Sequence, residues 1–316
     1  MKYDVYGLGN ALVDVQVPVD FSVVESTGNL PGSMDLVDDV GLDHVLARLD
    51  RDKMMLSAGG SVANTMVGVT ALGGTACFTG CISYDEYGQS YAKSLTDAKV
   101  DFRAQYGECK TGTCIVLITP DAQRTFLTHL GCAVNLSRDG VDEAAIRDSR
   151  YVYIEGYLWD GERSRKACCH AIKYAKEHGV KVAFTASDTG CVERHHGDFR
   201  EILQSYASLF FANATEAESI ADVKGGEAAA RELARYCGMA AVTDGANGAF
   251  IATRDDFVHV PAVPVTPVDT TGAGDAFAAG FLYGINHGES LEEAGRHGVE
   301  LASKVISQYG ARLAAK

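Results

Sequence analysis

The sequence contains no uninterrupted apolar stretch of about 18 residues, the length that a membrane-crossing helix needs, and no run rich in lysine or arginine. The first absence argues against a membrane partner. The second, with 28 Lys+Arg against 42 Asp+Glu and a net charge of −14, argues against a nucleic-acid partner, because the far field repels polyanions. The start, Met1-Lys2-Tyr3-Asp4-Val5, lacks the basic and then apolar pattern of a secretory leader, so a cytoplasmic protein is expected. Nine cysteines form no Cys-x-x-Cys pair, and most read as buried thiols. Cys191, His195 and His196 are the tightest potential metal cluster, yet no four-ligand zinc pattern follows. No repeat, low-complexity tract or interdomain linker interrupts the 316 residues.

What is present is an ordinary globular composition, 47% hydrophobic and 22% charged, with 34 glycines in excess. After residue 130, strand-like and helical runs alternate, as in a parallel sheet flanked by helices. Strands are expected at Arg150–Glu155, Val180–Ala186, Ser208–Ala212 and Ala240–Thr243, and helices at Glu162–His178, Gly226–Tyr236, Asp275–His287 and Ser290–Ser307. A hairpin pairs Ala249–Thr253 with Phe257–Val260. The fold class is therefore α/β, a three-layer α/β/α domain with a mostly parallel central sheet. Residues 14–40 and 100–130 are richer in β signals, and Thr113–Thr119 and Arg124–Leu130 flank a Pro120-Asp121-Ala122-Gln123 turn. The expectation is one domain over 1–316, with a small β-sheet lid built from those two stretches.

The strongest chemical signal is Asp269-Thr270-Thr271-Gly272-Ala273-Gly274-Asp275-Ala276-Phe277-Ala278-Ala279-Gly280. Small residues before a helix-forming run place the N–H groups of Gly272, Ala273 and Gly274 at a helix N-terminus, which is an anion site. Asp275 beside a bound anion is poorly explained as its ligand and well explained as a base; alone, it also reads as an ordinary first-turn Asp. A second glycine string, Ala58-Gly59-Gly60-Ser61-Val62-Ala63-Asn64-Thr65, precedes a helical run over Val62–Leu72. Gly7-Leu8-Gly9-Asn10-Ala11-Leu12-Val13-Asp14 lacks the third glycine of a dinucleotide fingerprint. Asn213-Ala214-Thr215-Glu216 makes a good helix cap, and Thr243-Asp244-Gly245-Ala246-Asn247-Gly248 a good turn.

The twelve-residue string from Asp269 resembles the C-terminal signature of the ribokinase-like (PfkB) carbohydrate and nucleoside kinases, and the other motifs follow in that family's order from Gly9 to Gly310. The resemblance implies an ATP- and Mg2+-dependent kinase with a small-molecule nucleoside or sugar acceptor, monomeric or homodimeric. It implies that Asp275 deprotonates an acceptor hydroxyl while the 272–274 N–H groups stabilise the transferring phosphoryl group. It makes Asp269 a ligand of a monovalent cation, K+, with carbonyls from near Val305 and Gly310. Gly59, Gly60 and Asn64 fall in the acceptor-sugar site, Asn213 and Glu216 order magnesium through water, and Thr243, Gly245 and Gly248 border ATP.

Asn10 and Asp14 resemble the first strand of the adenosine kinases of that family, where an Asp holds both ribose hydroxyls, although Ala11 stands in place of their proline. Gln123-Arg124-Thr125-Phe126 resembles their lid hairpin, whose Arg reaches the phosphates. Phe126 and Leu130, together with Tyr157 or Leu158, would then face a base. The resemblance thus implies the 5′-OH of adenosine as acceptor, with a free sugar such as ribose or fructose as the alternative. A binding regulator that has lost catalysis is the reading of another class.

Overall fold

The computed structural model describes residues 1–121 and 123–313. Among them a nine-stranded sheet runs in the spatial order Phe257–Val260, Ala249–Thr253, Met239–Thr243, Ala207–Asn213, Lys181–Thr185, Ser149–Glu155, Tyr3–Leu8, Ala76–Ile82 and Asp101–Tyr106. Ala249–Thr253 pairs antiparallel with Phe257–Val260, as the hairpin pattern predicts, and with Met239–Thr243, and the remaining neighbours are parallel. Successive strand residues point to opposite faces, and both faces here are apolar. Tyr6, Leu8, Ile154, Phe184 and Phe210 pack with Ala171, Phe199 and Leu203 from helices on one side. Val5, Tyr153 and Leu209 pack with Met66, Phe277 and Phe281 on the other. Burial on both faces explains why these strands read as continuous apolar runs rather than alternating ones. No helix among the described residues is long and apolar enough to cross a membrane.

A second sheet runs Met34–Leu36, Arg124–His129, Gly112–Ile118, Leu12–Pro18 and Met55–Ala58. Its hairpin pairs Ile118 with Arg124 across the expected turn, of which Ala122 lies outside the described residues. Its membership differs from the sequence expectation at both ends. Asp101–Tyr106 joins the edge of the large sheet, where Phe102 stacks on Phe78 with ring centroids 5.6 Å apart. Met55–Ala58, too short to signal itself, pairs with Leu12–Pro18 and leads into the Gly59-Gly60 turn. Between the strands, Phe21–Thr27 and Asp39–Leu46 are helices rather than further β structure.

The glycine strings at 59–60 and 272–274 lead into the helices Ser61–Ala71 and Ala273–Asn286. The two helices approach closely because Gly68 meets Ala279: a Cβ on Gly68 would lie 2.5 Å from the Ala279 Cβ. Gly68→Ala is expected to lower stability by about 1–2 kcal/mol in urea unfolding, the overpacking cost less the gain in helix propensity. Adding Ala279→Gly relieves the overlap, so the double variant should lose less than the sum of the two single losses.

Candidate active site

The parallel strands end side by side at Thr243, Asn213, Thr185, Glu155 and Leu8, and ligands in such sheets bind outside the carboxyl ends. A cleft of about 1310 Å³ lies there, roofed by the small sheet. It exceeds the roughly 300–1,000 Å³ of a single ligand pocket, which leaves room for two substrates.

Asp275 stands in the first turn of its helix, in the cleft wall. Its Oδ1 accepts from Ser61 Oγ at 2.5 Å and its Oδ2 from Asn64 Nδ2 at 2.9 Å. Burial raises its pKa, opposed by those two hydrogen bonds and by the Arg312 charge, which suits a carboxylate that must accept a proton. Gly272, at φ 77°, turns the chain into the helix. The Ala273 N–H bends back to the Thr270 carbonyl at 3.2 Å, so among the described residues the donors left for an anion are those of Gly272 and Gly274. The predicted trio is reduced to a pair because a helix-entry turn needs one of the three for itself.

At one end Asp14 lines the cleft, with its pKa pushed up to about 7 by burial and by the Asp275 charge against the pull of Arg312. Gly59 backs it: a Cβ there would lie 2.5 Å from the Asp14 carboxylate. Gly60, at φ 89°, brings its Cα against the Asn10 carbonyl, 2.2 Å from where a Cβ would sit. Asn10 lines the cleft while its N–H donates to Glu155 Oε1 at 2.7 Å. Phe126 belongs to an apolar wall on the small sheet with Leu12, Met34, Leu36, Val116 and Leu130. Tyr157 also lines the cleft, its OH donating to the Ser187 carbonyl at 3.3 Å.

Asn64 behaves differently from the expectation. Its Nδ2 is on Asp275, and its Oδ1 accepts from Arg312 Nε at 2.7 Å, so it orients the Asp275 carboxylate rather than leaving a free amide in the cleft.

At the other end, Asn213 and Glu216 form a reciprocal capping box. The Asn213 side chain spends Oδ1 on the Glu216 N–H and Nδ2 on Glu216 Oε1, so it holds Glu216 rather than a metal. Glu216 is 5% exposed, and burial with the nearby Asp188 charge pushes its pKa up to about 7. Glu216 and Asp188 both line the cleft, and a pair of oxygen-donor carboxylates fits Mg2+, which favours few carboxylates and retained waters. Thr243 lines the cleft, whereas Gly245 and Gly248 lie outside its wall and shape the hairpin.

Asp269 does not fit a monovalent cation. Its Oδ2 accepts from Arg124 Nη1 at 2.5 Å and from the Gly310 N–H at 2.7 Å, and its Oδ1 from the Thr271 N–H at 3.1 Å. Both oxygens of Asp269 are thus taken by donors, and Arg124 among them supplies the positive charge that a monovalent cation would. The sequence cluster of Cys191 and His195 meets Asp160 at the cleft rim. Arg194 grips that Asp160 through two bonds of 3.0 and 2.7 Å, and burial raises the Cys191 thiol pKa to about 12, a poor metal site.

Three residues of the cleft, Ser61, Glu155 and Asp188, carry no local sequence signal for their roles, and neither does Arg312, which bonds Asn64 behind it. Glu155 is fully buried and joins the Asn10 N–H to the Val62 N–H, the latter at 3.0 Å. A charged residue closing an apolar strand marks the position but not that role. Asp14, Glu155 and Glu216 all have pKa values of about 7, raised chiefly by burial. The folded state therefore binds more protons than the unfolded chain from about pH 4 to 7, and stability falls as pH rises through that window. The melting temperature of the ligand-free protein should drop between pH 5 and 7.5, less steeply for Glu216→Gln.

Residues 35–316 match the pfkB family of carbohydrate kinases. The chain is similar to a solved adenosine kinase of Sinorhizobium meliloti, with 35% identity, a TM-score of 0.90, and coverage of 100% of this chain and 97% of that one. A probable sugar kinase of Rhizobium etli gives 34% identity and a TM-score of 0.90 over 98% and 95% of the two chains. An uncharacterized sugar kinase of Archaeoglobus fulgidus is 30% identical over 250 residues, 78% of this chain and 97% of that one.

Proposed function

Because the chain belongs to the pfkB family of carbohydrate and nucleoside kinases and has its ribokinase-like fold, we propose that it transfers the γ-phosphoryl group of ATP to the 5′-OH of adenosine. The observation that carries the acceptor choice is the apolar wall beside Asp14. A bare sugar offers nothing to cover Met34 and Leu36, 53% and 65% exposed, whereas a purine would bury them. The likeness to proteins named sugar kinases keeps a free sugar as the second reading. In either case residues 1–316 act as one domain with the small sheet as lid.

The ribose hydroxyls donate to Asp14, an arrangement one carboxylate can satisfy, and Asn10 and Gly60 line the sugar. This aims the 5′-oxygen at Asp275. As the new O–P bond forms and the bond from the γ-phosphorus to the bridging oxygen of ADP breaks, the hydroxyl proton passes to Asp275. Gly272 and Gly274 donate to the equatorial oxygens. Glu216 and Asp188 would hold magnesium, which would neutralise charge on the nucleotide phosphates. Lid closure excludes water from the transfer.

Phosphorylation assays over adenosine, other nucleosides, ribose and fructose test this reading. Adenosine is expected to give the highest kcat/KM; a free sugar preferred over every nucleoside would replace it with the sugar-kinase reading, and no transfer to any acceptor would leave a binding protein.

A further inference from the structure

Asp269 sits directly before the anion hole, 6% exposed, and such a buried carboxylate needs a countercharge. The chain provides one from another sheet. Arg124 opens the small-sheet strand Arg124–His129, opposite Ile118, and its guanidinium reaches Asp269 with only 11% of its side chain exposed, against 4% for its partner. The Tyr309 ring stacks near it, 5.3 Å from the guanidinium carbon. One nitrogen is thereby engaged, but Nη2 is buried without a hydrogen-bond partner among the described residues, and Arg124 lines the cleft together with Gly272 and Gly274. An unpaired donor buried on a cation is costly unless a ligand comes to meet it.

We propose that Arg124 takes the place of a monovalent cation beside the anion hole: Nη1 neutralises Asp269 while Nη2 faces an incoming phosphoryl oxygen. The inference rests on the phosphoryl-transfer reading of the cleft but not on the identity of the acceptor. A metal ion would complete the charge of the hole whether the lid were open or closed. Here the charge is carried on the lid itself, so the hole is completed only when the small sheet is down. Completion of the hole and exclusion of water become one event, and the closed chain has no vacant ligand on Asp269 to offer potassium.

The test compares wild type, Arg124→Gln and Arg124→Lys as full chains in potassium chloride and tetramethylammonium chloride at equal ionic strength. Thermal unfolding of the ligand-free protein is read first, turnover second. The wild type should melt at the same temperature in both salts and turn over equally. Arg124→Gln, which bares the Asp269 carboxylate, should gain a saturable rise in melting temperature with potassium, the mark of binding to the folded state, and should recover part of its lost turnover. Arg124→Lys keeps a cation at the site and should stay indifferent, which also covers the case in which the glutamine variant does not fold. Saturable potassium stabilisation of the wild type or of Arg124→Lys would overturn the proposal, as would a folded Arg124→Gln blind to potassium. The melting readout needs no acceptor, so it can hold even if every nucleoside and sugar fails as substrate.

Discussion

Asp275→Asn is expected to lower kcat by about a thousandfold to ten-thousandfold, the upper part of the range for a general base, while leaving ATP affinity unchanged. The amide cannot accept the 5′-proton, yet the groups proposed to meet the phosphates, the Gly272 and Gly274 N–H donors and Glu216, are untouched. Asn64 Nδ2 would face either an oxygen or a second amide nitrogen where it now meets Oδ2 at 2.9 Å. The variant therefore keeps the helix entry and loses the chemistry. Single-turnover transfer of labelled phosphate, with calorimetry of nucleotide binding, separates the two effects. Turnover near wild type would remove Asp275 from the role of base. Burial holds the Asp275 carboxyl above its ordinary range, so wild-type kcat should rise with pH until that group is ionised and then level off.

The second large effect is on the acceptor. Hydrogen bonds to a charged group contribute about 1.5–3 kcal/mol, so Asp14→Asn should reduce kcat/KM for adenosine by roughly 10- to 150-fold through acceptor binding. The sharper reading comes from a cycle. A 2′,3′-dideoxy acceptor lacks the hydroxyls assigned to Asp14, so it should be a poor substrate for the wild type and lose little more with the variant. Equal losses for adenosine and the dideoxy compound would mean that Asp14 does not touch the diol. Since the Asp14 pKa is about 7, adenosine affinity should strengthen as pH rises through neutrality in the wild type and stay flat in Asp14→Asn.

Local signals located motifs that line the cleft better than they located the partners of those motifs. The Asp269–Gly280 string announces a turn into a helix because small residues and a first-turn Asp have few other uses together. The hairpin at 249–260 and the helix from Glu162 follow from turn chemistry and a 3.6-residue stripe, and the structure places them within a residue of the expected ends. What stayed hidden depends on pairs distant in sequence. Arg124 and Asp269 are 145 positions apart, and Arg312 and Asn64 are 248 apart. Nothing local distinguishes Arg124 bound to a phosphate from Arg124 bound to an aspartate. The edge strand Asp101–Tyr106 was misplaced for the same reason, since its β character says nothing of which sheet offers the free edge.

The apolar wall and the base lie on separate pieces of the molecule. Leu36, Met34 and Phe126 are carried on strands of the small sheet, whereas Asp275 and its Ser61 and Asn64 partners are carried on helices packed against the large one. Substitutions on the first set alter what fits without disturbing proton removal. On the proposed reading such an arrangement is evolvable: lineages can exchange one acceptor for another by changing a few strand side chains while inheriting the proton acceptor and its two partners intact.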